Sequence, residues 1–326
     1  MKAVLCQRFG TPEDLVLADI PDPVAGQGEV VAKVAAVGLN FFDTLIVAGK
    51  YQTKPAFPFS PGGEFAGVVE SVGAGVDAFK PGDRVMGYTN FNAARERTAV
   101  AADNIVKLPP DLDFDRAAAL TITYGTAYHA LKHRALMRAG ETLAVLGASG
   151  GVGLAAVEVG SQMGARVIAC ASTDDKLAFV RAHGAHELVN YKREDLRAAL
   201  KRLGGEHGVD VVFDPVGGRY SEPALRFARL GGPPPGRRIC RRRDSKTAAQ
   251  SRTAEELRRP RRVLGIVGAP ADKGVQGRHR DARPLVRRGQ AVVPRPEDLS
   301  ARADSGGAQS AGEPGGDGQA GGAGVT

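Results

Sequence analysis

The stretch Leu143-Ala-Val-Leu-Gly-Ala-Ser-Gly-Gly-Val-Gly153 constrains this chain more than any other. An apolar run, Leu143 to Leu146, stops at Gly147. Gly150, Gly151 and Gly153 follow, and then a small-residue helical pattern through Ala155, Ala156 and Val157. That order predicts a buried parallel strand, a tight turn and a helix whose first N–H groups and positive dipole end can hold a pyrophosphate. Glycine is required because a Cβ would block both the ligand's approach to the backbone and the packing of helix on strand. The residues expected to line a dinucleotide are Ala148, Gly150, Gly151, Val152 and Gly153. The spacing Ala148-x-Gly150-x-x-Gly153 is one residue off the three-glycine fingerprint, so the string also fits a strand–helix turn that holds no ligand.

The flanking sequence favours the dinucleotide. A second apolar run, Arg166–Ala171, starts at βαβ distance, and Val209-Asp-Val-Val-Phe-Asp-Pro-Val-Gly-Gly218 ends in another glycine pair. Helical stretches at Lys176–His183 and Glu194–Leu203 alternate with these runs. The pattern is that of an α/β domain with a doubly wound parallel sheet, which takes its ligands at the carboxyl ends of the strands.

Residues 1–117 read differently. Short strand candidates at Val30–Val37, Phe65–Val72, Arg84–Met86 and Ile105–Leu108 are punctuated by Gly, Pro and Asp, an all-β pattern. Asp111 to about Arg138 is helical and leads into the second lobe. Met1–Cys6 is strand-like, and no apolar stretch approaches 18 residues, so neither an export signal nor a membrane span is expected. Cys6, Cys170 and Cys240 form no disulfide framework, which suits the cytoplasm. His129 and His133 are spaced i,i+4 with no third metal ligand nearby, so they are expected on a helix face.

Several motifs together resemble the zinc-independent quinone oxidoreductases, the ζ-crystallin-like branch of the medium-chain dehydrogenases. They are Gly38-Leu-Asn-Phe-Phe-Asp43, Pro61-Gly-Gly-Glu-Phe-Ala-Gly67, Val72–Val76 with Pro81–Val85, Gly125-Thr-Ala-Tyr128, the glycine turn and Asp214-Pro-Val-Gly-Gly218. The resemblance covers residues 1 to about 232. It implies a GroES-like catalytic domain (1–117) and a Rossmann domain (118–232), no metal, a homodimer, and hydride transfer from NADPH to a small quinone or enone. An enoyl thioester is the alternative acceptor, and an inactive frameshifted product is the other alternative. Zinc alcohol dehydrogenases share the fold but place Cys and His where this chain has Asn40 and Gly63. By the same resemblance Asn40 lies near the nicotinamide, Asp43 supports its loop and Thr126 touches the ring, while Asp43 also reads as a plain turn-supporting carboxylate. Relatives often carry Tyr where Leu45 stands, which leaves no proton donor named. Tyr51 is a cleft or packing residue. The strand end at Ala171-Ser-Thr173 lacks the acid that binds a ribose 2′-hydroxyl in NAD enzymes, and Asp174 and Asp175 stand where a helix start wants acids. The resemblance instead puts Ser172, Lys176 and Tyr191 around a 2′-phosphate, with Gly217 approaching from the next strand.

Composition breaks at Gly232. All 18 aromatic residues lie at or before Phe227. In the 94 residues 233–326, Arg, Gly, Pro and Ala supply 54, and Leu, Ile, Val and Met only 13, too few to bury a core. Residues 1–232 carry 25 basic and 26 acidic side chains against 19 and 10 in 233–326, so the formal charge of +8 belongs to the tail. Arg241–Arg243 and Arg258–Arg262 have no interleaved aromatics to stack bases, which argues against nucleic-acid binding. The bias is what a GC-rich gene gives when read out of frame. One synonymous back-translation from Pro233, shifted by one base, reads RLLVGASAAGEIPKLPLN, a strand and a glycine turn. The expectation is a low-complexity tail from a frameshift, no further strands, and a parallel sheet truncated after Val209–Asp214.

Overall fold

The computed structural model describes residues 1–205, 208–226, 238–241 and 263–265. A short antiparallel pair, β1 (Lys2–Leu5) with β2 (Val16–Asp19), precedes the sheet of the first lobe. That sheet is five-stranded and antiparallel. It consists of β3 (Glu29–Gly38), β4 (Glu64–Val72), β5 (Arg84–Tyr88), β6 (Arg97–Ala101) and β7 (Ile105–Lys107), in the order β6-β3-β4-β5-β7. Side chains alternate across it. Val30, Ala32, Phe65, Val69, Val85, Val100 and Ile105 share one buried cluster, while Ala66, Met86 and Val106 face helix α2 (Phe114–Ala118) in another. All four expected strands of this lobe are present. β2 and β6 lie outside those expectations: the apolar residues of β2 are largely exposed, and β6, Arg97-Thr-Ala-Val-Ala101, buries only Thr98 and Val100.

The helical region expected over 111–138 is two pieces. It breaks after α2 and resumes as α3 (Thr123–Tyr128), which runs into a π-helical turn at His129–Arg134. The break lets α2 stay on the β-rich lobe while α3 packs on α4 (Gly151–Gln162) of the second. A buried polar knot fixes that packing. Glu158 of α4 accepts from the Tyr124 hydroxyl and lies 2.6 Å from His183 Nδ1, at the end of α5 (Asp174–Ala182). Burial pushes the Glu158 carboxyl up, and its two partners oppose that shift.

The second lobe is a six-stranded parallel sheet. Its strands are β8 (Thr142–Leu146), β9 (Arg166–Ala171), β10 (Glu187–Asn190), β11 (Val211–Asp214), β12 (Arg238–Arg241) and β13 (Val263–Gly265), in the order β10-β9-β8-β11-β12-β13. The order reverses between β8 and β11, the point where open α/β sheets form a ligand crevice. Leu143, Val145, Val167, Ala169, Val211 and Phe213 pack towards α4 on one face, and Ala144, Leu146, Ile168, Cys170 and Val212 towards α6 (Leu196–Gly204) on the other. Burial on both faces explains the unbroken apolar runs.

The expected end of the sheet after Val209–Asp214 is corrected. Val211–Asp214 pairs in parallel with Arg238–Arg241, which pairs in turn with Val263–Gly265. An unpaired β11 edge would leave a row of backbone donors and acceptors without partners, and even short segments such as Arg238-Ile-Cys-Arg241 supply them. The rest of the expected tail lies outside the described residues.

Candidate active site

The glycine turn joins β8 to α4 as the sequence implies. Gly147 has φ of +58°, and a Cβ there would lie 2.6 Å from Val216 Cγ2. A Cβ on Gly153 would strike the Gly147 carbonyl oxygen, so the helix can start this close to the strand only with glycine. Gly150 is the N-cap of α4 and provides no side-chain cap, which leaves the first-turn N–H groups to a ligand. Gly150 and Gly151 are exposed, Val152 is half-buried and Gly153 buried. Ala148 is placed otherwise than expected. It is fully buried, and its N–H donates to Cys170 O at 3.1 Å, so it shapes the turn without facing the crevice.

The loop after β11 closes over this turn. Asp214, fully buried, accepts from Val216 N at 3.0 Å, Gly217 N at 2.9 Å and Ser221 Oγ at 2.5 Å. These bonds hold Gly217 at φ of +77°, a conformation that favours glycine. Gly217 is therefore brought to the cradle, and Asp214, which sequence reasoning did not single out, fixes it there.

At the end of β9, Thr173 caps α5, and its hydroxyl accepts from Lys176 N. Asp174 accepts from Asn190 Nδ2 at 2.7 Å and pairs with Arg193, so this acid is already engaged. Ser172 is hydrogen-bonded to Tyr191, whose phenol burial pushes up and whose ring lies 4.4 Å from that of Tyr220. Lys176 is half-exposed and makes no ion pair among the described residues. Ser172 and Tyr191 are thus bonded to each other at the strand end, and Lys176 stands in the first turn of the helix that follows it.

The first lobe contributes buried carboxylates. Asn40 begins α1 (Phe41–Val47) as its N-cap, and its N–H donates to Asp43 Oδ2 at 2.7 Å. Asp43 Oδ1 accepts from Gly62 N at 3.1 Å, so Asp43 does support the Asn40 loop. Burial outweighs these two bonds and pushes its carboxyl up to about 6. Asn40 Nδ2 donates to Glu64 Oε1 at 2.8 Å, and Ile122 N donates to Glu64 Oε2 at 2.7 Å. Glu64 is 1% exposed, and burial pushes it up to about 7. Thr126 lies on α3, and its N–H donates to Ile122 O at 3.0 Å, so Asn40 and Thr126 are linked through Glu64 and Ile122. Tyr51 packs its ring 5.6 Å from Phe42, and the Tyr88 phenol, held by Asn90, is pushed up to about 12 by burial and by Tyr51 and Asp43. Leu39 and Phe41, on either side of Asn40, are 72% and 64% exposed. With Asp214, Glu64 and Tyr88 are the residues sequence reading missed. For Glu64 the signal was an acid flanked by glycine and phenylalanine at the start of an apolar strand. Leu45 is half-buried and carries no polar atom on its side chain.

A side chain at position 63 would meet Phe42 Cζ at 2.6 Å, so the space a metal ligand would need is filled by an aromatic ring. Among the described residues, no group of three or more His, Cys, Asp and Glu is placed to hold a metal. No described helix is long and apolar enough to cross a membrane. His129 and His133 stack with ring centroids 5.7 Å apart in the π-helical turn.

With this geometry in place, the relatives become informative. The alcohol dehydrogenase GroES-like domain family matches residues 26–110, and the zinc-binding dehydrogenase family matches residues 151–233. The quinone oxidoreductase of Homo sapiens is 42% identical over 234 residues, 71% of this chain and 71% of that one. That of Rattus norvegicus is 40% identical over the same shares. Among solved structures, Escherichia coli quinone oxidoreductase complexed with NADPH superposes with a TM-score of 0.78 at 27% identity, covering 92% of each chain. A probable oxidoreductase from Mycobacterium abscessus gives 0.72 at 35% identity, covering 93% of this chain and 88% of that one.

Proposed function

Because the chain belongs to the quinone oxidoreductase family of the medium-chain dehydrogenases and is an enzyme of that type, we propose that it reduces quinones or other activated enones with NADPH and without a metal. The observation that carries the cofactor choice is the rim at the end of β9. Ser172 and Tyr191 are bonded to each other there, Lys176 stands in the first turn of α5, and Asp174 is tied to Asn190 and Arg193. A 2′-phosphate needs a cation and hydroxyls, whereas a free carboxylate at that point would repel it. Gly150, Gly151, Val152 and Gly153 hold the pyrophosphate on the start of α4, and Gly217 borders it from the loop after β11.

When bound, the dinucleotide supplies the hydride. The protein supplies position and polarity. Thr126 and Asn40 approach from the two lobes, and Leu39 and Phe41 offer an apolar surface to a flat acceptor. Asn40 stands at the mouth of the cleft with its amide N–H groups given to Glu64 Oε1 and Gly38 O, which fixes the loop that borders the acceptor. Charge developing on a quinone is delocalised, so hydrogen bonds suffice to stabilise it without a metal. Quinone reduction with NADPH should persist after exhaustive chelation. Stoichiometric zinc in the purified protein, with loss of rate on its removal, would overturn the metal-free reading.

A further inference from the structure

We infer that Glu64 is a positioning residue that couples the two lobes across the cleft: one carboxylate oxygen holds the Asn40 side-chain amide and the other holds the backbone N–H that opens α3. The inference deepens the proposed function and rests on that reading of the cleft.

Three observations carry it. The two bonds are short and use different oxygens, 2.8 Å from Asn40 Nδ2 to Oε1 and 2.7 Å from Ile122 N to Oε2. Ile122 is the N-cap of α3 and gives it no side-chain cap; the Tyr124 and Gly125 N–H groups turn back to Leu120 O, and the Ile122 N–H is met by a carboxylate from the other lobe. The site is also kept clear for Glu64. Gly38 has no Cβ, and one built there would lie 2.6 Å from Glu64 Oε1 and would strike Ala118 O. The result is one buried anion linking Asn40, which faces the acceptor, to the helix that carries Thr126.

A glutamine cannot replace it. Its amide has one accepting oxygen, and its NH2 would face a second N–H donor. One of the two segments must move, and a shift of about 1 Å at reacting groups costs as much as about 100-fold in rate. Protonation should act in the same direction, because a protonated carboxyl turns one acceptor into a donor. The groups around Glu64 are Asn40 and Asp43 from α1, the Thr121 and Ile122 backbone before α3, Ala118 of α2, and Tyr88 across the ladder from it. Asp43 raises the Glu64 carboxyl by repulsion, and Tyr88 stays protonated over the relevant range. The link is therefore firm above about pH 7, the value to which burial pushes Glu64, and loosens below it.

The test is amide hydrogen exchange on the full chain without cofactor, comparing Glu64→Gln with wild type and following wild type alone from pH 8 to 6 after correction for intrinsic rates. The expected result is that protection falls together in segments 40–43 and 121–128, in the variant at every pH and in wild type as pH drops. With NADPH and a quinone, kcat of the variant should fall at least about tenfold, with its pH dependence near 7 lost. If only one segment responds, or neither does, the coupling is refuted. If both respond but kcat and its pH profile are unchanged, Glu64 is a cap and not a positioning residue. Should Glu64→Gln not fold, the wild-type pH series decides on segment 121–128, which Glu64 bonds and Asp43 does not; Asp43, pushed to about 6, itself holds segment 40–43. A wild type that binds NADPH but reduces no quinone overturns the proposed function, while the exchange result still judges Glu64.

Discussion

The two halves of the parallel sheet meet at the β8–β11 switch point, and they reach the same geometry from different sequences. On one side, β8 and β9 are apolar strands packed between α4 and α6, with β10 closing the edge of the sheet. On the other, β11 is equally apolar, but it is followed by Arg238-Ile-Cys-Arg241 and Val263-Leu-Gly265. The first half is specified by side chains that need both faces covered. In the second, the pairing is that of a buried edge, whose backbone groups must be met by whatever extended segment follows. Main-chain pairing can continue a sheet that side-chain patterning no longer announces.

The largest effect should come from breaking the first half at its turn. Gly153→Val places a side chain against the Gly147 carbonyl, a contact with rigid backbone that no rotamer relieves. NADPH affinity should fall by at least about 100-fold, equivalent to ~2.7 kcal/mol. Melting temperature should fall with it. Fluorescence titration checks the first expectation, and near-normal binding would show that the turn is not the cradle.

The next test is of the second half. A chain ending at Gly232 keeps β11 and removes β12 and β13. It should melt at least about 5 °C lower, since a domain of this size loses roughly 2–4 °C per kcal/mol. An unchanged or higher melting temperature would mean that these strands add nothing, and would return the sheet to the truncated form its sequence suggests. Sequencing the gene across the Gly232 codon is the companion measurement. A one-base correction there would replace the Arg-rich segment with an apolar strand, and the two halves would then obey one rule.

How much was legible follows the same division. β8, β9 and β11 announced themselves because a strand buried on both faces must be apolar throughout, and the glycine turn because no other residue fits it. β10 did not: its four residues, Glu187-Leu-Val-Asn190, sit at the sheet's edge with only Val189 and Asn190 buried. Asn40, Asp43 and Thr126 were reachable through family resemblance; Asn40 is bonded to Asp43, and Thr126 is joined to them through Ile122 and Glu64. Glu64 was not, because its role lies in a contact with Ile122, 58 residues away, which no local pattern encodes. Ala148 was expected at the crevice because it holds the place of a fingerprint glycine. Its N–H is bonded instead to β9, and its side chain packs in the core.

A smaller effect probes the rim of the first half. Lys176→Ala should weaken NADPH about tenfold, equivalent to ~1.4 kcal/mol, and change NADH by less than about twofold. A half-exposed cation on a phosphate is screened by salt, so the loss should shrink as ionic strength rises. Equal losses for both cofactors would place Lys176 outside the 2′-phosphate site. NADH binding as tight as NADPH in wild type would remove the cofactor assignment itself.

The smallest effect lies in the β-rich lobe, outside both halves, and serves as their control. Asp43 is buried, and its carboxyl is pushed from 3.8 up to about 6. A carboxyl raised on folding binds protons more tightly in the native state than in the unfolded chain. Its favourable contribution is fully present below about pH 3.8 and is lost as pH rises through about 6. Asp43→Asn removes that loss, so the urea midpoint should decline less steeply between pH 4 and 6 than in wild type. Glu64, which rises from 4.5 to about 7, retains its own decline at higher pH. Neither substitution touches the parallel sheet, so the chain ending at Gly232 should show the same pH slope as the full chain. A steeper decline in Asp43→Asn would mean that the Asn40 and Gly62 N–H groups hold Asp43 ionised in the native state. A slope that changes when β12 and β13 are removed would mean that the second half of the sheet reaches the cleft through the fold.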